Sequence, residues 1–250
     1  MKILLTNDDS IRALGIKTLY QALKDAGHEV SLVAPMRQQS AVGQGLTVFE
    51  PVRVKPYAEG DYQGIAVYGT PTACVKLALG HLVKKPDLVI SGINLGANVG
   101  PDLLYSGTVA AAIEAAASGF AALALSLDDH KAKNVSQQAK HAVSLLPQIP
   151  WDKFKGRRVI NVNYPKIPFS QNKGLKICPH ALALWENSYE ERKDPRDDSY
   201  YWLDGDIDTS TVANDTDCYY LSQGYITLTP LKINFNDPEG LNLLKDLTLA

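Results

Sequence analysis

Two neighbouring carboxylates follow the first apolar run of the chain. Residues 2–6, "KILLT", have the pattern of a buried strand, and Asn7, Asp8 and Asp9 come directly after it. Asn and Asp are common turn and helix N-cap residues, so the triplet fits a junction between a strand and a helix. Two adjacent anions also repel each other, and a fold tolerates them best when a cation lies between them. The triplet alone supports both interpretations equally.

Polar side chains also follow other predicted strands. Ser40 lies in the loop "PMRQQSAVGQGLT", Asn94 ends "DLVISGIN", and the acidic pair 128–129 follows "LALSL". Ligands of open parallel sheets bind outside the carboxyl ends of the strands, so we expect these residues to face one crevice. Asp8, Asp9, Ser40 and Asn94 together offer hard oxygen ligands, which suit one divalent cation per subunit, Mg²⁺ or Mn²⁺.

The segment "YSGTVAAA" predicts an anion site at the start of a helix. Ser106, Gly107 and Thr108 open an Ala-rich helix, whose first amides attract anions and whose two hydroxyls can donate to phosphate oxygens. An ordinary serine N-cap is the alternative interpretation, but a neighbouring metal favours phosphate, and Asn94 joins the predicted phosphate-binding set. The chain has no "GxxxxGK[ST]" and no "GxGxxG" after a strand, which argues against an ATP P-loop or a dinucleotide site.

No protein nucleophile is indicated by the sequence. No serine lies in a "GxSxG" elbow, and His130, the only histidine near the carboxyl end of a predicted strand, has the position of a structural loop residue. We therefore expect a phosphate ester to be hydrolysed by attack of a metal-activated water. Asp8 or Asp9 would be the catalytic carboxylate that orients this water or accepts its proton.

Two other functions use an acidic residue after the first strand. A phospho-receiver signalling module binds Mg²⁺, but it needs an acceptor Asp at a middle strand end within a domain of roughly 120 residues. Here Pro35 and Asn94 stand at those ends. A phosphatase that forms an aspartyl-phosphate at Asp8 is the second alternative, and its usual Asp-x-Asp pattern is absent from "NDD".

Strands and helices alternate from residue 1 to about residue 165. The spacing of Leu14, Leu19 and Leu23 predicts a helix that ends at Gly27. Further strands are predicted in "HEVSLVAP", "PDLVISGIN", "AALALSL" and "RRVINVNYP", and further helices in "GTPTACVKLALGHLV", with Thr70 as N-cap, and "GTVAAAIEAAAS". This order predicts an α/β fold with a Rossmann-like, doubly wound, mainly parallel sheet, which forms a catalytic core over residues 1–165.

The composition changes after the core. Residues 166–250 predict a smaller β-rich C-terminal extension, with a strand in "GYITLTPLKI" and a terminal helix in "PEGLNLLKDL". The stretch 185–203 combines Trp, Tyr and opposite charges, which is typical of an interface. We therefore expect a homodimer or homotetramer.

The overall composition excludes several classes of protein. A formal net charge of −2 over 250 residues gives no basic surface for duplex nucleic acid. No apolar run has the length of a membrane span, and the first ten residues do not form a signal peptide. The three cysteines are scattered without paired spacing, which fits a reducing compartment. We expect a cytoplasmic protein without a membrane partner.

Several of these segments together resemble the survival protein E (SurE) nucleotidases. They are "MKILLTNDDS", "VAPMRQQSAVGQGLT", "VYGTPTACVKLAL", "PDLVISGINLGANVG", "YSGTVAAAIEAAASGFAALALSLDDH", "NVNYP", "DPR" and "GYITLTPL", in family order. The resemblance implies a metal-dependent phosphatase of nucleoside 5′- and 3′-monophosphates, with short polyphosphate as a further substrate of some members. It places the metal ligands on Asp8, Asp9, Ser40 and Asn94 and the phosphate motif on residues 106–108. It also implies a C-terminal extension that is exchanged between subunits.

Three positions depart from the pattern of that family. Ser10 stands where glycine is common, Met36 where an acidic residue is usual, and Ala41 where glycine often follows the ligand serine. Met36 and Ala41 lie in the loop that carries Ser40, so we expect them to affect substrate range and rate rather than the type of reaction.

Overall fold

A nine-stranded, mostly parallel sheet forms the centre of the protein. The computed structural model describes residues 1–186 and 188–245. The strands are β1 (Lys2–Thr6), β2 (Glu29–Pro35), β3 (Arg53–Glu59), β4 (Tyr62–Tyr68), β5 (Leu88–Leu95), β6 (Ala121–Leu127), β7 (Arg158–Tyr164), β8 (Leu175–Ile177), β9 (Ser188–Lys193), β10 (Ser199–Asp204) and β11 (Ile226–Lys232). The helices are α1 (Leu14–Asp25), α2 (Pro71–Leu77), α3 (Gly107–Ala117), α4 (Ser136–Leu145), α5 (Asp217–Ser222) and α6 (Pro238–Leu243).

The sheet order reverses at its centre, as in other doubly wound folds. The order is β3-β4-β2-β1-β5-β6-β7-β11-β8, with β9 and β10 in a separate two-stranded sheet. Strands β4, β2, β1, β5, β6 and β7 run parallel to one another. Strand β3 is antiparallel to β4, and β11 is antiparallel to β7. The chain therefore leaves β1 toward β2 and returns to β5 on its other side, which opens a crevice at the carboxyl end of β1.

Alternating side chains of the strands feed two cores on opposite faces of the sheet. Ile3 and Leu5 belong to a core that includes residues of α1 and α4, whereas Leu4 belongs to a second core with residues of α2 and α3. This alternation follows from the two-residue period of a strand. Because both faces are covered, the strands are continuous apolar runs, and the predicted α/β architecture is confirmed.

The expected helix ends are present where the sequence placed them. Thr70 caps α2 by accepting a hydrogen bond from the amide of Ala73, and Pro71 is the first residue of that helix. Gly27 has φ +79° just after α1, a conformation that glycine adopts without a steric penalty. No helix in the described ranges is both long and apolar enough to cross a bilayer.

The region after residue 165 adds to the main sheet and also leaves it. Strands β8 and β11 extend the main sheet beside β7. Strands β9 and β10 form an antiparallel hairpin within the predicted aromatic stretch. The predicted terminal helix begins as expected at Pro238 and ends at Leu243; the last residues of that predicted segment, 246 and 247, lie outside the described residues.

Candidate active site at the carboxyl end of β1

The acidic pair lies where the central strand ends. β1 ends at Thr6, and the next three residues enter the crevice between β2 and β5. Asp8 is only 4% exposed, and its carbonyl oxygen accepts a hydrogen bond of 2.8 Å from the amide of Gln39. Asp9 is half-buried. The loop after β2 is thus attached directly to the end of β1.

The start of α3 lies against Asp8. The hydroxyl of Thr108 donates a hydrogen bond to Oδ1 of Asp8. A Cβ atom at Gly107 would lie 2.9 Å from Cβ of Asp8 and 3.0 Å from its Oδ2, so only glycine allows this approach. The structure therefore brings the opening carboxylates and the predicted phosphate motif into contact.

The first residues of α3 use their side chains in specific ways. Ser106 is the N-cap, and its hydroxyl oxygen accepts a hydrogen bond of 3.1 Å from the amide of Val109. The Thr108 hydroxyl is engaged with Asp8, so it is not free to donate to a phosphate oxygen. The backbone amides at the helix start and the hydroxyl proton of Ser106 are the donors that remain for an anion.

The end of β5 meets Asp9. The amide of Leu95 lies 3.3 Å from Oδ2 of Asp9 and donates a hydrogen bond to it. The side-chain NH₂ of Asn94 donates to the carbonyl oxygen of Gly96 at 2.8 Å. That hydrogen bond holds the amide group of Asn94 and leaves its Oδ1 as the atom suited to a cation. Asp9 and Asn94 thus belong to one structural unit.

Ser40 is connected to this unit through a neighbouring side chain. Nε2 of Gln38 donates to the Ser40 hydroxyl at 3.0 Å and lies 3.5 Å from Oδ1 of Asp9. Ser40 itself is exposed. The structure therefore brings Asp8 into direct contact with the predicted phosphate motif, places Asp9 against Leu95, and places Ser40 at the exposed side of the carboxylates.

In the described part of the chain, neither Asp8 nor Asp9 forms an ion pair with a basic side chain. Burial, and then the charge of Asp9, raises the pKa of Asp8 to about 6 against the lowering effect of the Thr108 hydrogen bond. Burial also raises the pKa of Asp9, while the Leu95 amide and the charge of His130 oppose that rise. Burial and mutual repulsion disfavour the charged forms of the two carboxylates, and a cation bound between them would offset both effects.

The donor set fits a hard divalent cation. Among residues 1–186 and 188–245, no group of three or more His, Cys, Asp or Glu side chains is gathered to hold a metal ion. A cation bound by Asp8 and Asp9 would therefore take its other ligands from neutral oxygens. Ser40 and Asn94 supply such oxygens, and Mg²⁺ commonly combines one or two carboxylates with several waters.

The sequence position of His130 predicts a structural loop residue, and the structure places this histidine beside the predicted site. Its Nδ1 donates to the carbonyl oxygen of Leu95 at 2.8 Å. A Cβ atom at Gly96 would lie 2.3 Å from Cε1 of His130, so the imidazole packs directly on that glycine. The position of His130 three residues after a strand end was the only signal for this contact in the sequence.

A buried amide network next to the site was also missed. Asn98 donates through its side chain to Ser126 at 2.7 Å and through its backbone amide to Asn163 at 2.8 Å. Its carbonyl oxygen accepts hydrogen bonds from the side chains of Asn161 and Asn163. These contacts fix the Gly-rich loop after Asn94. The two asparagines in the otherwise apolar strand "RRVINVNYP" were the available signal, since a buried amide requires partners.

The C-terminal region holds the loop that leads into α3. The Asp217 carboxylate accepts hydrogen bonds from the amides of Gly100 at 3.2 Å and Ala181 at 2.8 Å. The indole of Trp185 donates to Asp102 at 2.7 Å, and the Asp102 carbonyl oxygen accepts from the amide of Ser106 at 3.0 Å. The start of the phosphate motif is therefore attached to residues beyond 165.

Two of the three departures from the family pattern adopt a glycine-like backbone. Ser10 has φ +94° and Ala41 has φ +57°, which lie in the left-handed region that costs non-glycine residues energy. Met36 is partly buried against the core beneath the sheet end. The first two departures therefore have a conformational cost, and the third changes the lining of the loop.

The chain is similar to known proteins over nearly its full length. The family model described as Survival protein SurE matches residues 3–187. A protein named 5'-nucleotidase SurE from Nitratidesulfovibrio vulgaris strain Hildenborough is 52% identical over 248 residues, which cover 99% of this chain and 99% of that protein. The protein of the same name from a Nostoc species is 38% identical, with 98% of each chain covered. The crystal structure of the SurE protein from Aquifex aeolicus matches with a TM-score of 0.82 and 31% identity, over 98% of this chain and 100% of that chain. The resemblance inferred from the sequence motifs is thus confirmed, and the chain belongs to the SurE family.

Proposed function

We propose that this protein is a metal-dependent 5′-nucleotidase that hydrolyses nucleoside monophosphates to nucleoside and phosphate. Relatives that match this chain over nearly their full length carry the name 5'-nucleotidase SurE. The observation that carries the proposal is the hydrogen bond between Thr108 and Asp8. It joins the pair of carboxylates, which form no ion pair with a basic side chain among the described residues, to a helix start that suits a phosphate. Nucleoside 3′-monophosphates and short polyphosphate are further candidate substrates.

The proposed metal ligands are Asp8, Asp9, Ser40 and Asn94, for one Mg²⁺ or Mn²⁺ ion per subunit. When bound, such a cation supplies a more acidic water and neutralises charge on a phosphoryl group. The protein's own contribution is to hold two carboxylates at the end of one rigid strand. The Thr108 hydroxyl and the Leu95 amide each fix one of these carboxylates.

The proposed phosphate-binding residues are Asn94, Ser106, Gly107 and Thr108. Gly107 lets the backbone of α3 approach Asp8, and the helix start presents amides that attract an anion. We assign Thr108 to this set as a residue of the helix start, while its hydroxyl is used by Asp8. Phosphoryl transfer requires mainly positioning and charge neutralisation, which such a rigid set of donors provides.

The proposed catalytic carboxylates are Asp8 and Asp9. Asp8 is nearly enclosed, whereas Asp9 is half-buried and more open to solvent. We therefore assign to Asp9 the orientation of the attacking water or the acceptance of its proton. Asp8 serves mainly as the fixed anion of the site.

A covalent aspartyl-phosphate is the main alternative reaction, and the stereochemical course of hydrolysis at a phosphate group made chiral with oxygen isotopes separates the two. Direct attack by water is one displacement and inverts the configuration at phosphorus, whereas formation and hydrolysis of an aspartyl-phosphate are two displacements and retain it. A hydroxylamine-sensitive phosphoryl adduct on Asp8 or Asp9 would support the covalent route. The signalling alternative, a phospho-receiver, is not favoured, since the chain belongs to a family whose relatives are named as nucleotidases.

We also propose a division into a catalytic core, 1–165, and a C-terminal extension, 166–250, that forms a homodimer or homotetramer. The hairpin of β9 and β10 is a sheet of its own, and isolated hairpins are marginally stable in water. Its Trp202 is 59% exposed, and Tyr201 and Leu203 beside it are exposed as well. Light scattering at micromolar concentration should give at least twice the subunit mass of 27.2 kDa; a strictly monomeric mass rejects the assembly.

A cytoplasmic location completes the proposal. Cys74, Cys178 and Cys218 are free thiols in the structure, and unpaired cysteines are typical of reducing compartments. Fractionation of the cells that make the protein should place it with cytoplasmic enzymes, and recovery in an extracellular fraction contradicts this location.

A phosphate-release screen tests the proposed activity. The substrates are nucleoside 5′-monophosphates, their 3′ isomers and tripolyphosphate, each with Mn²⁺ or Mg²⁺ and with a chelator. We expect hydrolysis of 5′-monophosphates that stops in chelator and returns with the metal. Chelator-resistant activity, or no release from any nucleotide, contradicts the proposal.

A further inference from the structure

A cavity lies beside the proposed phosphate site, at the carboxyl ends of β2 and β4. It has a volume of about 240 Å³. Its lining consists of Met36, Arg37, Gln39, Val67, Tyr68 and Gly69. Pockets that enclose a whole small ligand usually measure about 300–1,000 Å³, so this one suits a part of a ligand that is anchored elsewhere.

Gln39 connects this cavity to the proposed active site. Gln39 lies in the loop after β2 and lines the cavity. Its backbone amide donates a hydrogen bond of 2.8 Å to the Asp8 carbonyl oxygen. Its own carbonyl oxygen would lie 3.1 Å from a Cβ atom at Gly107. One residue therefore separates the cavity from both the carboxylate site and the start of α3.

The sheet geometry gives the spacing between the two sites. β2 is the neighbour of β1, and β4 is the neighbour of β2. Adjacent strands are about 4.8 Å apart, so the ends of β2 and β4 lie one and two such steps from the end of β1. A ribose separates the phosphate of a nucleotide from its base by a comparable length.

The lining offers the groups that bind a planar aromatic ring. Tyr68 is 38% exposed and presents its ring, and Met36 adds a flexible, polarizable thioether. Nζ of Lys55 lies 5.8 Å from the centroid of the Tyr68 ring, which places a cation against that ring. Arg37, which also lines the cavity, adds hydrogen-bond donors of the kind that pair with purine acceptor atoms.

We propose that this cavity binds the base of the nucleoside monophosphate, with Tyr68 and Met36 as the residues that contact it. The inference rests on the proposed function and extends it to the choice of substrate. An acidic side chain at position 36 would place a third negative charge in the loop near Asp8 and Asp9. Methionine instead extends the apolar surface next to Tyr68. The chain's own residue at this position therefore favours binding through the base.

Kinetics with matched substrates test this assignment. We compare 5′-AMP with ribose 5-phosphate, which has the same phosphate and sugar but no base, for Tyr68→Ala, Tyr68→Phe, Met36→Asp and Met36→Leu. Tyr68→Ala should raise KM for AMP by about tenfold, in line with the value of one stacked base, and leave ribose 5-phosphate unchanged. Met36→Asp adds a charge that acts on the phosphate of both substrates, so it should raise KM for both, and more for AMP than for ribose 5-phosphate. Tyr68→Phe and Met36→Leu should stay within about twofold of the parent protein, because the ring and the apolar volume are kept.

A control and a binding measurement keep this test separate from the test of activity. Tyr219→Leu removes a tyrosine from α5, which packs against β11 near the opposite edge of the sheet, and should change neither substrate. Equilibrium binding of AMP to the chelated protein reports on the cavity even if no hydrolysis is found. If Tyr68→Ala changes KM for both substrates alike, or leaves AMP binding unaltered, the cavity does not bind the base, whatever the outcome for nucleotidase activity.

Discussion

The hydroxyl of Thr108 donates a hydrogen bond to the carboxylate of Asp8, although the two residues lie 100 positions apart in the chain. One belongs to the first turn of α3 and the other to the end of β1. The contact explains why Asp8 can be held in one orientation at a site that is nearly closed to solvent. It also fixes the distance between the proposed cation ligand and the proposed phosphate-binding helix.

Removal of this hydroxyl should weaken the proposed active site. Thr108→Val keeps the shape of the side chain but leaves a buried carboxylate without its donor, which costs about 1–3 kcal/mol. We expect kcat for 5′-AMP to fall at least tenfold and the melting temperature of the chelated protein to fall. Thr108→Ser keeps the hydroxyl and should retain most of the activity; equal activity in the Val and Ser variants contradicts this role.

The charge of Asp8 should make the metal-free protein less stable as pH rises. The pKa of Asp8 is raised from 3.8 to about 6, so the folded state holds a proton that the unfolded state has already lost between these values. Stability therefore falls as pH rises from about 4 to 6 and stays low above it. We expect Asp8→Asn to stabilise the chelated protein by about 1–3 kcal/mol at pH 8 and by little at pH 4.

Thermal unfolding at several pH values measures this effect. Asp152→Asn, at an exposed position in the chain, is the control and should show no such trend. A stabilising effect of Asp8→Asn that is the same at pH 4 and pH 8 would show that the carboxylate charge is not its cause.

Asp8→Asn should also lose most of its phosphatase activity with excess Mn²⁺. Full activity of this variant under that condition contradicts the assignment of Asp8 as a metal ligand.

His130 should act as a positioning residue for the end of β5, which meets Asp9. Its hydrogen bond to Leu95 holds the peptide whose amide contacts the Asp9 carboxylate. We expect His130→Ala to weaken Mn²⁺ binding and lower kcat by about three- to tenfold, since one neutral hydrogen bond contributes about 1 kcal/mol. His130→Asn offers a donor in place of Nδ1 and should recover part of both. His81→Ala, in an exposed position beyond α2, is the control; equal effects on metal affinity in the two alanine variants reject this role.

Glycine in place of Ser10 or Ala41, the two departures from the family pattern that have a left-handed backbone, should stabilise the protein. Ser10 and Ala41 have φ values of +94° and +57°, and the left-handed region costs an L-residue about 1–2 kcal/mol. Glycine removes that cost but adds entropy to the unfolded chain, so Ser10→Gly and Ala41→Gly should each raise stability by about 0.5–1 kcal/mol. Gly27→Ala is the converse test. A Cβ atom at position 27 would meet no neighbour within 4 Å, so the left-handed φ of +79° is the cost that remains, and this variant should be less stable than the parent protein. Denaturant unfolding gives all three values, and a loss of stability in both glycine variants contradicts the conformational argument.

The sequence predicted the core well where local chemistry and burial agree. Apolar runs such as β1 are buried on both faces, and the cap at Thr70 is used as expected. Strand β3 was missed because it lies at the edge of the sheet and is mostly exposed, with Pro56 in its middle, so no apolar run indicates it. The hairpin turn at Gly60 between β3 and β4 was the available signal.

The site could be predicted as a set of strand ends but not as a set of contacts. The carboxyl ends of parallel strands lie on one edge, which was sufficient to bring Asp8, Asp9 and Asn94 together. The use of the Thr108 hydroxyl by Asp8 depends on how closely α3 approaches β1, and that distance has no local signature in the sequence. The packing of His130 depends on the backbone of Gly96, at φ +133°, in the same way.

The central claim is that Asp8 and Asp9 bind a divalent cation that 5′-nucleotide hydrolysis requires. Calorimetric titration of Mn²⁺ into chelator-treated protein, with phosphate release from 5′-AMP measured on the same samples, tests it most directly. We expect one binding site per subunit in the parent protein, with activity that rises in proportion to its occupancy. Asp8→Asn and Asp9→Asn should lose both binding and activity while they remain folded by circular dichroism. Undiminished Mn²⁺ binding in both variants, or hydrolysis of 5′-AMP by protein that holds no metal, would contradict the account.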